Sequence, residues 1–319
     1  MKIVVLDGYP LDKGLDWDAL TQLGDCKIYD RTDYEDDKIL ERIGDASIVL
    51  TNKTPMDVNV INNAKNLKYI GVLATGYNVI DMKAAATKGV TVTNIPTYGT
   101  DAVAQFTFAL LLEITSQVGL HNQLVHEGKW ANSPDFTFWA KSLIELSGKT
   151  FGLVGYGKIA QKVAEIAHAF SMQVIFYNHR PKEVQGNWVK QVSFEELLQT
   201  ADIISLHVPQ TPDTINLIDK AAIDKMKDGV IIINTARGTI INEQDVANAL
   251  NEGKILGAGV DVASTEPIKA DNPLLKAKNC FITPHIAWAP KETRARLMNI
   301  AINNLKSFLN GTVQNQVLK

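Results

Sequence analysis

Residues Lys149-Thr150-Phe151-Gly152-Leu153-Val154-Gly155-Tyr156-Gly157-Lys158-Ile159-Ala160 narrow the possible folds more than any other stretch. Phe151 to Val154 is an apolar run suited to a buried parallel strand. From Lys158 onward Ile159, Val163, Ile166, Ala167 and Phe170 recur at helical spacing. A glycine turn therefore joins a strand directly to a helix, and a second apolar run, Gln173 to Tyr177, completes a strand, turn, helix, strand unit. In such a unit the first glycine permits a tight turn, the second lets a pyrophosphate approach the backbone, and the third position needs a small residue for helix packing. Gly155, Gly157 and Ala160 suit those three positions, and the free N–H groups and positive dipole end of the following helix would hold the phosphates of a dinucleotide.

The remaining sequence is that of a globular chain with room for two domains. Its 319 residues are 45% hydrophobic and 21% charged, and the net charge is −3 with no block of like sign. A polyanion-binding surface has no support in that balance, so nucleic acid is not expected as a partner. Cys26 and Cys280 stand far apart, with no His or Cys at zinc spacing, which reads as two reduced thiols, no metal and a cytoplasmic setting. Met1 to Leu6 looks like a first strand and not a signal peptide, and the longest uncharged apolar stretch, Ala102 to Leu112, is shorter than the ~20 residues that cross a bilayer. No membrane segment is expected.

From Lys2 to about Tyr98, apolar runs (Ile3–Leu6, Ser47–Leu50, Tyr69–Leu73, Val90–Thr93) alternate with polar helical segments such as Tyr34–Ile43 and Asp81–Lys88, the pattern of a small α/β domain. Pro96 and Gly99 mark its end. A helix then runs from Thr100 to about Glu127, apolar almost all round over Ala102 to Leu112, which predicts burial between domains or against a second copy of the chain in a homodimer. Beyond the glycine turn, strands at Asp202–Leu206, Val230–Asn234, Gly257–Val262 and Cys280–Thr283 alternate with helices, giving a doubly wound sheet. A last helix, about Pro290 to Leu309, carries Leu297, Ile300, Ala301, Leu305 and Phe308 on one stripe and is expected to return to the first domain.

In open parallel sheets, ligands sit beyond the carboxyl ends of the strands. There the chain offers Asn234-Thr235-Ala236-Arg237-Gly238, Ala263-Ser264-Thr265-Glu266-Pro267 and Thr283-Pro284-His285. An Arg, a Glu and a His thus converge on one edge. Reduction of a 2-oxo acid needs a guanidinium fork for the carboxylate and a proton donor for the carbonyl oxygen, which Arg237 and His285 supply. A carboxylate bonded to the far imidazole nitrogen would fix the tautomer and favour the protonated ring, and Glu266 is the candidate.

With these residues in place the chain resembles the D-isomer-specific 2-hydroxyacid dehydrogenases over nearly its whole length. The motifs that carry the resemblance are Ala74-Thr75-Gly76-Tyr77-Asn78-Val79-Ile80-Asp81, Gly152-Leu153-Val154-Gly155-Tyr156-Gly157, Leu206-His207-Val208-Pro209, Asn234-Thr235-Ala236-Arg237-Gly238, Gly259-Val260-Asp261-Val262, Glu266-Pro267 and Thr283-Pro284-His285. His285-Ile286-Ala287-Trp288-Ala289 and Val5-Leu6-Asp7-Gly8 look like the glycerate dehydrogenase (hydroxypyruvate reductase) branch. The resemblance implies an α/β fold of two Rossmann-like domains. In it, a doubly wound parallel-sheet coenzyme domain, residues 100–289, is inserted into a smaller flavodoxin-like substrate domain, residues 1–99 plus 290–319. It implies His285 as general acid/base, Glu266 as its partner, and Arg237 as the substrate-binding Arg, with Lys53, Thr75, Gly76 and Trp288 also contacting substrate. Coenzyme contacts are implied at Gly155, Tyr156, Gly157, Lys158, Ile159, Asn178, His179, Arg180, His207, Val208, Pro209, Thr235, Ala236, Arg237, Asp261 and His285. The implied activity is hydride transfer between NAD(H) or NADP(H) and a small 2-oxo or D-2-hydroxy acid, hydroxypyruvate or glyoxylate in the reducing direction.

One departure bears on the coenzyme. The acid that usually follows the second strand, where it bonds the adenosine ribose, is Asn178 here, followed by His179 and Arg180, so a 2′-phosphate meets no repelling charge and Arg180 could pair with it. Gln105 stands where many relatives carry Glu. The alternatives are a dinucleotide-sensing, corepressor-like role, against which the intact Arg, Glu and His argue, and a family relative acting on another small acid.

Overall fold

The computed structural model describes residues 1–184 and 186–317, which form two compact units, 1–99 with 289 onward and 100–288. In the first unit the chain runs β1 (Lys2–Val5), α1 (Tyr9–Asp12), α2 (Asp18–Thr21), β2 (Asp25–Ile28), α3 (Asp36–Ile43), β3 (Ile48–Thr51), α4 (Val58–Asn63), β4 (Tyr69–Val72), α5 (Met82–Lys88) and β5 (Thr91–Thr93). All strands are parallel, in the order β2-β1-β3-β4-β5, the flavodoxin-like arrangement. The central strands β3 and β4 are buried at every position, as a sheet covered on both faces requires. Asp57 and Asp81 accept the amides of Val60 and Ala84 and so start α4 and α5. Ile39, Val60, Ile61, Ala84 and Ala85 close one core over Val4, Val49, Ile70 and Val92.

The second unit begins with α6 (Thr100–Ser116) and α7 (Val118–His126) and continues through β6 (Thr150–Val154), α8 (Lys158–Ala169), β7 (Gln173–Tyr177), β8 (Val189–Gln191), α9 (Phe194–Thr200), β9 (Ile203–Leu206), α10 (Lys220–Lys225), β10 (Val230–Asn234), α11 (Glu243–Glu252), β11 (Ile255–Val260) and β12 (Cys280–Ile282). Its seven parallel strands lie in the order β12-β11-β10-β9-β6-β7-β8, doubly wound outward from β6 and β9. One apolar layer contains Leu197, Ile223, Val246 and Leu250; the layer on the opposite face contains Phe108, Leu111, Val163 and Ala167. The final helix, α12 (Lys291–Leu309), belongs to the first unit, where Arg294 Nη1 donates to the Leu11 carbonyl at 2.9 Å and Asn304 Nδ2 to the Asn94 carbonyl at 3.0 Å.

One expectation from the sequence needs correction. The single helix from Thr100 to Glu127 is broken at Gln117, whose φ of 49° is left-handed and ends α6. The two pieces are bent by 55°, and no single helix among the described residues is long and apolar enough to cross a membrane. Much of the apolar run from Ala102 to Leu112 packs against α8, β10 and β11 within its own unit, with Ala104 and Leu111 fully buried, while Val103, Phe106 and Leu112 are partly exposed and Ala109 is exposed. Further exposed apolar side chains gather along the chain at Val118, Val125, Trp130, Phe136, Trp139 and Leu143.

Candidate active site

The glycine turn has the geometry its sequence implies. Gly155 has φ of 94°, and a Cβ there would lie 2.6 Å from the His207 carbonyl oxygen, so only glycine fits. Gly157 caps α8 with no side-chain hydrogen bond to the helix, leaving the first-turn amides of Lys158 and Ile159 to a ligand, while Ala160 is buried in the core. These features fit a dinucleotide pyrophosphate. Tyr156 is buried, and its ring stacks on Phe176 with centroids 3.8 Å apart.

At the end of β7, Asn178 links the turn to the next loop. Its Oδ1 accepts the Tyr156 amide at 3.3 Å and its Nδ2 donates to the Arg180 carbonyl at 2.8 Å. His179 and Arg180 are exposed. At the end of β9, His207 Nε2 lies 2.8 Å from the Ser205 hydroxyl, and burial pushes the imidazole pKa down to about 4, so the ring is neutral at pH 7. Val208 is partly buried and Pro209 exposed beyond it.

The three chemically informative loops follow β10, β11 and β12, which are adjacent in the sheet. After β10, fully buried Asn234 donates to the Arg237 carbonyl at 2.9 Å and accepts the Ala236 amide at 3.0 Å, closing a turn. Thr235 Oγ1 lies 3.2 Å from Thr107 Oγ1 on α6, and Arg237 Nη1 donates to the Ala236 carbonyl at 2.6 Å. Next comes Gly238, where a Cβ would fall 1.9 Å from the Ala263 carbonyl carbon. The two loops are in backbone contact there, which excludes every side chain.

Ala263 in turn donates its amide to Glu266 Oε1 at 3.2 Å, and Glu266 Oε2 lies 2.7 Å from His285 Nδ1. Glu266 and His285 are thus in contact, and the loop that bears Arg237 touches the loop that bears Glu266 where Gly238 meets Ala263. His285 has φ of 54°, a strained value for a residue with a Cβ. The buried Asp261 carboxylate holds that backbone in place by accepting the Thr283 hydroxyl at 2.6 Å and the Ile286 and Ala287 amides at 2.9 and 2.8 Å. Burial pushes the Asp261 carboxyl pKa up against these bonds and against the nearby His285. Trp288, three residues after His285, is partly buried.

The remaining residues implied to bind substrate lie in the first unit. Buried Asp7 accepts the amides of Asn52, Lys53 and Thr54 and so fixes the loop after β3, on which the Lys53 side chain is exposed. Thr75 Oγ1 donates to the Ile95 carbonyl at 2.7 Å, and Asn94 Nδ2 donates to the Thr75 carbonyl at 2.7 Å, which fixes the Thr75-Gly76 loop. Sequence reasoning missed Glu243, whose carboxylate accepts both the amide (2.8 Å) and the hydroxyl (2.6 Å) of Ser264 and tethers the loop that bears Glu266. An acid in the first turn of a helix signals only a favourable dipole position, not the loop it will hold.

Comparison with known proteins gives a consistent pattern. Residues 108–287 match the model of the D-isomer specific 2-hydroxyacid dehydrogenase NAD binding domain. The chain is 55% identical over 322 residues to a hydroxypyruvate reductase of Blautia hydrogenotrophica, covering 100% of both chains. Among solved structures, an acyclic imino acid reductase in complex with NADPH and D-Arg superposes with a TM-score of 0.86 at 31% identity, covering 100% of both. A D-lactate dehydrogenase of Aquifex aeolicus complexed with NAD and lactic acid does so at 0.84 and 28% identity, covering 100% of this chain and 99% of the other.

Proposed function

Because the chain belongs to the D-isomer-specific 2-hydroxyacid dehydrogenases, we propose that it moves a hydride between a nicotinamide coenzyme and a small 2-oxo acid, reducing hydroxypyruvate to D-glycerate or glyoxylate to glycolate. The observation that carries this reading is the 2.7 Å contact between His285 Nδ1 and Glu266 Oε2, on a loop packed against the residue that follows Arg237. Glu266 holds one imidazole nitrogen, so Nε2 is left to exchange a proton with substrate. The coenzyme supplies the hydride to the carbonyl carbon. As the carbonyl π pair moves onto oxygen, His285 delivers the proton there, and in oxidation it takes the proton back. Arg237 holds the substrate carboxylate through its guanidinium fork. In the same proposal Lys53, Thr75 and Gly76 of the first unit and Trp288 of the second add substrate contacts; the first unit is the substrate domain and the second the coenzyme domain. The intact acid–base pair argues against a protein that only senses dinucleotide.

NADP(H) is accepted beside NAD(H) in this reading. Asn178 places no negative charge at the end of β7, and Arg180 is exposed next to it. The protein acts as a cytoplasmic homodimer. Cys26 and Cys280 are free thiols whose pKa burial pushes up to about 11 and about 12, which keeps them protonated and unreactive in a reducing compartment. A panel of 2-oxo acids with NADH and with NADPH, followed at the nicotinamide absorbance, tests the proposal. Oxidation of coenzyme by hydroxypyruvate or glyoxylate is the expected result, and no turnover with any 2-oxo acid would overturn it.

A further inference from the structure

We infer that Gln191 is a positioning residue for coenzyme selection, acting through the loop that carries Arg180; the inference rests on the NADP(H) reading above. Gln191 ends β8, the edge strand beside β7, and its one carboxamide serves three backbone groups of the neighbouring loop. Nε2 donates to the Asn178 carbonyl at 3.0 Å and the Arg180 carbonyl at 3.3 Å, and Oε1 accepts the Lys182 amide at 2.9 Å. The Arg180 carbonyl also receives Asn178 Nδ2 at 2.8 Å, and Asn178 Oδ1 in turn accepts the Tyr156 amide of the glycine turn at 3.3 Å. Two side-chain amides therefore fix the backbone of residues 178–182 to the turn that holds the pyrophosphate. Pro181, between Arg180 and Lys182, restricts φ at the remaining joint.

This arrangement matters because the loop bears its charge on flexible, solvent-exposed side chains. Arg180 and Lys182 are both exposed, and none of the ion pairs within 4.0 Å among the described residues includes either. A guanidinium on a loose loop gains little from a phosphate, because ordering the loop cancels the gain; on a backbone already fixed, that cost is met at folding. The 2′-phosphate of NADP(H) is the ligand group that exploits this, since it adjoins the adenosine ribose for which the end of β7 is the expected site. NAD(H) lacks that group and depends less on where Arg180 is delivered. A carboxamide both donates and accepts, whereas Glu at this position only accepts and Met does neither.

The test compares wild type with Gln191→Met and Gln191→Glu, with and without Arg180→Ala, by measuring the Kd of NADPH and of NADH through quenching of tryptophan fluorescence, after thermal melts confirm folding. In wild type the two Kd values should lie within about tenfold of each other. Rejection of NADPH by a hundredfold or more would overturn the NADP(H) reading and this inference with it. Given a wild type that binds both, Gln191→Met should weaken NADPH by about five- to tenfold and NADH by less than about twofold. Gln191→Glu should act more strongly, because it adds a repelling charge. In the Arg180→Ala background, Gln191→Met should have no further effect on NADPH, since coupled residues are not additive. Equal weakening of both coenzymes, or full additivity with Arg180→Ala, would overturn the inference alone and leave Gln191 as ordinary packing. If Gln191→Met fails to fold, Gln191→Asn, which keeps the chemistry but not the reach, replaces it under the same criteria.

Discussion

At the scale of single residues, chemistry here depends on groups held by the backbone around them. His285 sits at a φ of 54° because Asp261 ties down the residues on both sides of it, and its ring is held by Glu266. Replacing His285 by Ala should lower turnover by about 10²- to 10⁴-fold, the contribution usual for a positioned acid/base, while the Kd of NADH measured by fluorescence stays nearly constant. Unchanged turnover would remove His285 from the proton step. Glu266→Gln keeps the shape but replaces the carboxylate that holds His285 Nδ1 by an amide, and kcat should fall, by less than in His285→Ala, while the Kd of NADH stays nearly constant. An unchanged kcat would separate Glu266 from the proton step and leave it a purely structural partner of the loop.

At the scale of elements, the strand ends decide both what the site contains and how it responds to acid. His207 follows β9, and its carbonyl is what excludes a side chain at Gly155 in the glycine turn. In the unfolded chain its imidazole takes a proton near pH 6.5, whereas in the fold burial delays this to about 4. The native state therefore loses stability as pH falls from about 6.5 toward 4, and below that this residue adds no further slope. The loss amounts to about 2–4 kcal/mol over the window. Urea unfolding of wild type and His207→Gln at pH 7 and pH 4.5 should show a steeper acid loss in wild type; parallel losses would mean that the ring is protonated in the native state. The elements that were plain in the sequence are those with a strong single signal: the glycine turn, the all-apolar strands such as Val230–Asn234, and helices started by Asp81 or Gly157. The edge strands Asp25–Ile28 and Val189–Gln191 were not, because half-exposed short strands mix polar and apolar residues without a readable period. The polar anchors at Gln191 and Glu243 were invisible for a different reason: a side chain that bonds a distant loop leaves no local pattern.

At the scale of the whole molecule, the question is what covers the apolar surface that the chain leaves exposed. The sequence directs attention to α6, much of whose apolar surface packs on α8, β10 and β11 while Val103, Phe106 and Leu112 stay partly exposed. More open still is the stretch from Val118 to Leu143, where Phe136 is 89% exposed, Val118 and Trp139 66%, Leu143 55% and Trp130 52%. The segment has some internal order, since Trp130 Nε1 donates to the Phe136 carbonyl at 2.9 Å and the Ala140 amide donates to His121 Nε2 at 3.2 Å. Two tryptophans and a phenylalanine held on an ordered arm are costly to leave in water and are the residue types enriched at stable interfaces. A two-fold dimer built on this arm would bury them against their own copies with one self-complementary patch. Sedimentation at low micromolar concentration should therefore give a species of about twice the 35.1 kDa chain mass. Replacing Phe136 and Trp139 together by Asp should shift it to the monomer, whereas Leu112→Asn on α6 should destabilise the fold before it changes assembly. A wild type that sediments only as the monomer would sink the dimer, and a double variant that remains dimeric would move the interface away from this arm.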